Sequence, residues 1–295
     1  MHHVVEAKLV TPSGLAISLA SEWVNNKDRK EFEKQDCERK AFVRLAAKLK
    51  EYFPRLPICI LADGLYPNKT FMQICKENNW TYVVVFPDDI LSVLHEDIYD
   101  LQDKHRSMQT VELKAKGQTT IIKDYTWLEE PLAHEGHTLN WVSCEQTKSQ
   151  NKKGQKQSDP ENNKEINRFV FITNIKPTGA NVREICQTGR NRWKIENQGY
   201  NSQKNGGYSL GHKFSRNSFS SYRNYYQCLQ IAHMINSFVE HSSDFVQLLQ
   251  QHSKQTVKNL WKKLMETLSA TTLDESLFEI KGRYQIRLKS KCSQR

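Results

Sequence analysis

Two short apolar runs separated by one helix-length segment constrain the fold of this chain most strongly. The runs "ICILADGLY" (58–66) and "TYVVVF" (81–86) have the length and unbroken apolar character of strands buried on both faces. Between them, "NKTFMQICKENNW" (68–80) has the spacing of a short helix. A strand, a helix and a strand in this order predict a parallel pair of strands. The sequence therefore predicts an α/β fold built on a mixed sheet.

The flanking segments extend this prediction. Near the N-terminus, "VVEAKLVT" (4–11) and "LAISLASEWV" (15–24) enclose the turn signal Pro-Ser-Gly, which predicts a β-hairpin. The run "RFVFITNI" (168–175) predicts a further core strand. Apolar residues at helical spacing predict four more helical segments, over residues 34–53, 181–204, 217–240 and 243–267.

The composition changes at about residue 91. Residues 91–145 are polar with intermittent β-like pieces, and residues 146–167 contain one apolar residue and no aromatic residue. This predicts a β-rich insertion over 91–167 that contains a flexible loop at 146–167. The core is then divided into a first part (1–90) and a second part (168–240), followed by a helical C-terminal region (241–295).

Composition and charge narrow the environment and the partner. The net charge of +10 favours a polyanionic partner, of which nucleic acid is the commonest. Seven cysteines are scattered without CxxC spacing, which is typical of reduced thiols in the cytoplasm. We find neither a signal peptide nor an apolar run of the ~20 residues that a membrane span requires, so a membrane partner is not expected.

The segment "GRNRWKIENQGYNSQKNGG" (189–207) contains a single acidic residue, Glu196, among basic and amide side chains. Steps of three or four place it on the face of the predicted helix that should meet the sheet, with Val182, Cys186, Gly189, Trp193 and Tyr200. Trp193 is therefore expected in the core. A buried carboxylate is costly unless it is paired or bound to a metal. Arg192, four residues earlier, makes a structural ion pair one reading and metal binding the other.

A second carboxylate, Asp63, follows the predicted strand "ICILA" and precedes Gly64. Reactive groups of open α/β sheets collect beyond the carboxyl ends of the strands, although such an Asp can also only support a turn or cap the next helix. Asp63 and Glu196 could share a divalent cation such as Mg²⁺, which prefers carboxylate oxygens and keeps waters for substrate phosphates. This reading predicts metal-dependent phosphodiester chemistry.

These motifs resemble those of DDE-type transposases from bacterial and archaeal insertion sequences. "DGLY" at Asp63 is similar to the second-aspartate signature of the family, an Asp followed by a small residue and an aromatic residue. "RWKIENQGYNSQKN" resembles the Tyr-Arg-Glu-Lys signature, because Arg192 lies four residues before Glu196. The Tyr of that signature is Gly189 here, and its Lys is Gln203 with Lys204 one place later.

The resemblance implies an RNase H-like mixed sheet flanked by helices, interrupted by a β-rich insertion and followed by a helical tail. It implies Asp63 and Glu196 as catalytic ligands of Mg²⁺ or Mn²⁺. The DNA-contacting residues would be Arg192, Lys204, Lys213 and Arg216, although the last two also fit a solvated basic loop.

One departure limits the implied activity. The first catalytic Asp of the family lies on a strand ahead of the hairpin, and Glu6 matches no first-Asp motif, so we expect an N-terminally truncated transposase. The expected function is binding of double-stranded transposon-end DNA in the cytoplasm, at the nucleoid, with cutting and joining of phosphodiesters and no small-molecule cofactor. The alternative is a non-catalytic remnant that occupies transposon ends or pairs with the full-length enzyme. The C-terminal helix could pack on the core or form a homodimer.

Overall fold

The chain forms two compact units. The computed structural model describes residues 3–24, 34–88, 91–114, 119–150, 164–212, 218–251 and 256–272. The first unit combines Met1–Ala7 with Leu19–Trp193, and the second combines Lys8–Ser18 with Lys194–Arg295. The predicted segment boundaries at residues 90, 167 and 240 stay a prediction.

The described chain alternates strands and helices. The strands are β1 (Val4–Val10), β2 (Ala16–Trp23), β3 (Cys59–Ala62), β4 (Thr81–Val85), β5 (His105–Lys114), β6 (Thr119–Leu128), β7 (Leu132–His134), β8 (His137–Gln150) and β9 (Lys164–Thr173). The α-helices are α1 (Lys34–Tyr52), α2 (Lys69–Glu77), α3 (Ser92–Asp100), α4 (Val182–Arg190), α5 (Ser202–Asn205), α6 (Phe219–Glu240), α7 (Ser243–Gln251) and α8 (Val257–Ala270). A 3₁₀ turn (Gln102–Lys104) precedes β5, and a π-helix (Ile195–Asn201) precedes α5.

Seven strands form one mixed sheet in the order β3-β4-β9-β8-β6-β5, with β7 paired to β8. The β3–β4 pair is parallel and the other neighbours are antiparallel, which confirms the predicted parallel pair inside a mixed sheet. The hairpin β1–β2 is also confirmed, and it forms a separate two-stranded sheet.

Both faces of the seven-stranded sheet are covered by helices. Because side chains alternate along a strand, β4 directs Tyr82 and Val84 to one face and Val83 to the other. The first face packs against α1, α2 and α3, through residues such as Phe42, Phe71 and Leu94. The second face packs against α4, through Val182, Ile185 and Cys186. The structure is therefore a mixed α/β fold with helices on both faces of the sheet.

The strand β3 is less buried than its apolar sequence predicts. Only Ala62 is buried in β3, and Cys59 is exposed. The reason is position, because β3 is the end strand of the sheet and pairs with β4 alone among the described strands.

The predicted loop at 146–167 is shorter at both ends. The strand β8 continues to Gln150, and β9 begins at Lys164. The polar residues in these extensions pair across the two strands, as in Gln146 opposite Asn167 and Lys148 opposite Glu165, and the charged groups of the second pair lie 3.6 Å apart. A sheet that extends into solvent accepts polar residues on both faces, so polarity alone did not indicate a loop. Residues 151–163 lie outside the described chain.

The helical C-terminal region contains two described helices, α7 and α8, where the periodicity predicted one segment. The helix predicted over 217–240 is confirmed as α6. Within the described ranges, none of the helices combines the length and apolar character needed to cross a lipid bilayer.

A charged cluster joins β2 to α1. The Glu22 carboxylate lies 2.6 Å from the Lys48 ammonium and 3.1 Å from the Arg44 guanidinium. Lys48 and Arg44 also donate to the backbone carbonyls of Ser21 and Trp23, which fixes the helix along the strand. Burial acts to raise the pKa of Glu22, but the hydrogen bonds and charges of Lys48 and Arg44 outweigh it, so the pKa is lowered.

We predict that Glu22→Gln lowers the free energy of unfolding by about 1 kcal/mol at neutral pH. A carboxyl with a lowered folded-state pKa stabilises above its unfolded pKa, and this contribution is lost as the pH falls through the folded pKa. The difference between variant and parent should therefore shrink as the pH falls below about 4. Urea unfolding at several pH values measures it. Glu129→Gln, which removes an exposed partner of Arg106, is the matched control and should change little. An equal loss for both variants would contradict the prediction.

Close contact between α4 and β9 requires a glycine at position 189. A Cβ atom there would lie 2.6 Å and 2.7 Å from two ring carbons of Phe171, which is 2% exposed. Ordinary contacts begin beyond 3.4 Å, so either the ring or the helix would have to move.

We predict that Gly189→Ala destabilises the protein by roughly 1–3 kcal/mol, although alanine is the better helix former. Gly211→Ala should be near neutral, because nothing lies within 4 Å of the added Cβ. Thermal and urea unfolding of both variants measure the difference. A Gly189→Ala variant as stable as the parent would show that this packing is not tight.

Candidate functional site

Asp63 lies directly beyond the carboxyl end of β3, where the sequence predicted it. Its Oδ1 accepts a hydrogen bond from the Leu65 backbone N–H at 3.1 Å, and its carbonyl accepts from the Tyr66 N–H at 3.2 Å. Asp63 therefore supports the turn, as one of the two readings predicted. A carboxylate has about four lone-pair positions on its two oxygens, so one such bond leaves capacity for a cation.

The aromatic residue of "DGLY" packs into the core beside this turn. The Tyr66 ring lies 5.3 Å from that of Phe42 and 6.0 Å from that of Phe71. Burial raises the pKa of Tyr66 well above its usual range, and the carboxylates of Asp63 and Glu38 add to the shift. The phenol stays protonated at any physiological pH, so it can donate a hydrogen bond but is unsuited to act as a base.

Glu38 is an acidic neighbour that sequence reasoning missed. Glu38 and Arg39 from α1 line a small cavity together with Leu65 and Tyr66, in the turn that follows Asp63. Their signal in the sequence is only that of an exposed helix face, because their proximity to the turn depends on the packing of α1 on the sheet. Glu38 therefore adds an acidic side chain to the surroundings of Asp63.

The helix that carries Glu196 is not continuous. The face predicted inward holds along α4, where Val182 is 0% and Cys186 1% exposed. After Arg190 the chain turns and then enters the π-helix, which contains Glu196. The prediction that Trp193 lies in the core is wrong, because its side chain is 53% exposed. Each π-helical turn takes in one more residue than an α-helical turn, so the α-helical phase cannot be extended through the segment.

Glu196 itself is half-buried. The prediction that Glu196 faces the core is therefore confirmed only in part, because the residue is neither buried nor fully exposed. π-Helical turns are rare and frequently occur at functional sites, which directs attention to this segment independently of its motif.

The π-helix is held against the hairpin within the second unit. The Lys194 ammonium donates to the Thr11 carbonyl at 2.9 Å and to the Pro12 carbonyl at 2.8 Å. Burial lowers the pKa of Lys194. The hairpin turn also passes close to Gln198, since a Cβ on Gly14 would meet the amide nitrogen of Gln198 at 3.4 Å. These contacts fix the first turn of the π-helix, where Glu196 lies.

A buried polar cluster fixes the other end of the π-helix. Gln203 and Gln230 exchange two amide hydrogen bonds of 2.8 Å and 3.1 Å. The Gln230 Oε1 also accepts from the Lys8 ammonium at 3.0 Å, and that ammonium lies 5.3 Å from the centre of the Tyr200 ring. Gly199 makes room for the Lys8 stem, because a Cβ there would lie 3.3 Å from it. The hairpin, the π-helix and α6 thus share one cluster.

The motif position seven residues after Glu196 is therefore structural in this chain. Gln203 is 0% exposed and fully engaged with Gln230, whereas Lys204, one residue later, is exposed. Lys213 and Arg216 lie outside the described residues. The Lys204 side chain is in solvent, where a phosphate can reach it.

The predicted site residues are divided between the two units. Asp63 and Arg192 belong to the first unit, and Glu196 and Lys204 belong to the second. Across the described ranges, no group of three or more His, Cys, Asp or Glu side chains is arranged to hold a metal ion. A metal shared by Asp63 and Glu196 stays a prediction.

Comparison with known proteins adds no assignment: no protein-family model matches the chain, and no curated protein matches its sequence.

We predict that Gln230→Leu lowers the free energy of unfolding by about 3 kcal/mol, because it leaves the Lys8 ammonium and the Gln203 amide buried without their acceptor. Hydrogen exchange of residues 195–205 should accelerate in the same variant. Gln247→Leu on α7, an exposed position, is the matched control and should change neither quantity. Unchanged exchange at the π-helix in Gln230→Leu would mean that the cluster does not fix this segment.

Proposed function

We propose that this chain is a DDE-type insertion-sequence transposase, which binds transposon-end DNA and cuts and joins phosphodiesters with the help of a divalent metal ion. The observation that carries the proposal is the place of its two motif carboxylates in the chain. Asp63 directly follows a strand of the parallel pair, and Glu196 lies in the helical segment that follows β9. The motifs "DGLY" and "RWKIENQGYNSQKN" supply the same two residues.

The order of elements supports an RNase H-like core. The hairpin, α1, β3, α2 and β4 come first, and β9 and α4 return to the sheet after the strands β5 to β8. We assign β5 to β8 to the β-rich insertion of the proposed family. In the described chain β3 has β4 as its sole strand neighbour, so no other described strand pairs with its outer edge, which is where a core with an additional Asp-bearing strand would pair that strand.

The donor chemistry fits a hard divalent cation. Carboxylate oxygens of Asp63 and Glu196 would hold Mg²⁺ or Mn²⁺, and the ion would supply Lewis-acid activation of a water or a 3′-hydroxyl. The chain would contribute rigidity to these ligands, through the turn at Asp63 and the Lys194 contacts to the hairpin carbonyls. Arg192 would orient Glu196.

The substrate in this proposal is double-stranded DNA, bound in the cytoplasm at the nucleoid. Lys204 would contact a backbone phosphate, and the net charge of +10 would favour association with any duplex. Lys213 and Arg216 would extend the same contact.

A specific observation favours a second function, that of a non-catalytic DNA-binding remnant. In the described ranges no group of three His, Cys, Asp or Glu side chains is placed to hold a metal ion, and two carboxylates hold two metal ions poorly. Such a protein would occupy transposon ends, or pair with a full-length enzyme, without cutting.

Nicking of supercoiled plasmid and binding of a labelled DNA duplex distinguish the two functions. If the chain is a transposase, Mg²⁺ should support nicking, and Asp63→Asn and Glu196→Gln should each reduce it by more than about 100-fold while duplex binding persists. Binding without metal-dependent nicking would identify the remnant. A chain that neither binds nor nicks DNA would refute both functions.

We predict that Lys204→Ala weakens duplex binding to a similar extent for different sequences and lowers the dependence of log K on log salt by about 1, because one phosphate contact is lost. Titrations at four salt concentrations measure this slope. Lys76→Ala, an exposed lysine on α2, is the charge-matched control and should leave the slope unchanged. Equal slopes for Lys204→Ala and the parent would remove Lys204 from the DNA interface.

A further inference from the structure

The strand β5 is an open edge of the seven-stranded sheet. All ten of its residues pair in register with β6, from His105 opposite Leu128 to Lys114 opposite Thr119. It is the last strand of the sheet order, and no further strand pairs with it in the described chain. Such a strand directs alternate backbone N–H and C=O groups outward, and these groups can pair with another strand.

This edge lacks the structural features that usually protect one. The strand is long, contains no proline and pairs with β6 without a bulge. Two of its apolar side chains are largely in solvent, Val111 at 61% and Leu113 at 67% exposure. Proteins commonly blunt an edge by shortening, bulges, proline or charge, and here only charge is present.

The charges on β5 are arranged so that the strand complements itself. Arg106 and Glu112 lie three residues on either side of Gln109. If a second β5 lies antiparallel with a two-fold axis at Gln109, Arg106 of each copy is opposite Glu112 of the other, which gives two opposite-charge pairs.

The same register suits the remaining side chains. Ser107 comes opposite Val111, and His105 comes opposite Leu113, so that both exposed apolar side chains gain a neighbour on the adjoining strand. Moving the axis one residue to Thr110 would place Arg106 opposite Lys114, a like-charge pair. The charges therefore select one register among its neighbours.

The existing partners of these charges do not oppose the arrangement. Arg106 lies 2.8 Å from Glu129, with both side chains more than half exposed, and Glu112 lies 3.6 Å from both Lys114 and Lys123. Exposed pairs of this kind contribute only about 0–1 kcal/mol. Arg106 and Glu112 can therefore redirect to a neighbouring strand at small cost.

We propose that β5 is a self-association surface, at which two copies of this chain pair antiparallel about Gln109 and continue the sheet from one copy into the other. A second copy is the occupant because its charges match by symmetry, whereas an unrelated antiparallel strand would need its own basic and acidic residues at the same spacing of six residues. The surface is independent of any DNA chemistry.

Charge exchange at the two positions tests the proposal by sedimentation equilibrium. Arg106→Glu and Glu112→Arg each place like charges opposite one another twice, and should raise the dimer dissociation constant about 10- to 30-fold. The double variant restores both pairs and should return to within about threefold of the parent. If the residues acted only through their contacts within one chain, the double variant would lose both sets of contacts and would be the most perturbed of the three.

Matched controls are available on β8 and β9, two strands of the same sheet that do not pair with β5. Lys148→Glu and Glu165→Lys exchange the charges of an exposed pair between β8 and β9, and should leave the dissociation constant unchanged. A monomeric parent chain, or a dimer that ignores all exchanges at residues 106 and 112, would overturn the proposal.

Disulfide trapping tests the register directly. Residue 109 is opposite itself across the axis, with Cβ atoms about 4.5–5.5 Å apart, so Gln109→Cys should form a cross-linked dimer on mild oxidation. Val111→Cys is the control, because its partner residue is Ser107 and its own copy lies four residues away along the strands. The parent chain controls for the native cysteines. Cross-linking through residue 111 and not through residue 109 would overturn the register.

Discussion

The pairing of β4 with β9 is the constraint on which the rest of the first unit depends. It joins the parallel pair to the antiparallel strands, and its residues contribute to the cores on both faces of the sheet. The pair is also fastened at one end by side chains. The Thr173 hydroxyl donates to the Tyr82 backbone carbonyl at 2.6 Å, and the side-chain Oδ1 of Asn174 accepts from the Tyr82 N–H at 3.0 Å. Without this pair, the parallel strands β3 and β4 that precede and support Asp63 would not be joined to the antiparallel strands.

The local sequence could predict the elements whose apolar pattern matches the faces that are buried in the structure. The run "TYVVVF" contains Tyr82, Val83 and Val84 in succession, and all three are buried because both faces of β4 are covered. The helix α2 has an apolar stripe and an Asn68 cap, whose side chain accepts from the Phe71 N–H. The edge position of β3 could not be read from "ICIL", because exposure there depends on which strands are neighbours. The strand extensions beyond residue 145 were missed for the related reason that a two-sided polar sheet has no core signal.

The surroundings of Glu196 show the same limit in a helix. The spacing from Val182 to Gly189 predicted the buried face of α4 correctly, since every step obeys the α-helical period. Beyond Arg190 the helical period changes from that of an α-helix to that of a π-helix, and no residue type in the sequence indicates this change. The contacts that stabilise the segment come from far away in sequence, such as the hairpin carbonyls that receive Lys194, 183 and 182 residues distant. Residue types and spacing could indicate Glu196 and Lys204 as candidate site residues. Only the structure shows that the Gln203 side chain, which lies between them in sequence, is hydrogen-bonded to Gln230.

The division of the hairpin between two units has a consequence for how the protein is made. Lys8 leaves the ribosome well before its acceptor Gln230, which follows 222 residues later in the chain. At about 5–20 residues per second, this interval is roughly 10 to 45 seconds. During that time the first unit can complete its sheet. The Lys8 side chain, which is buried in the folded protein, stays in solvent over the same interval. The second unit therefore forms after the first, once α6 has been synthesised and Gln230 can accept the hydrogen bond of Lys8.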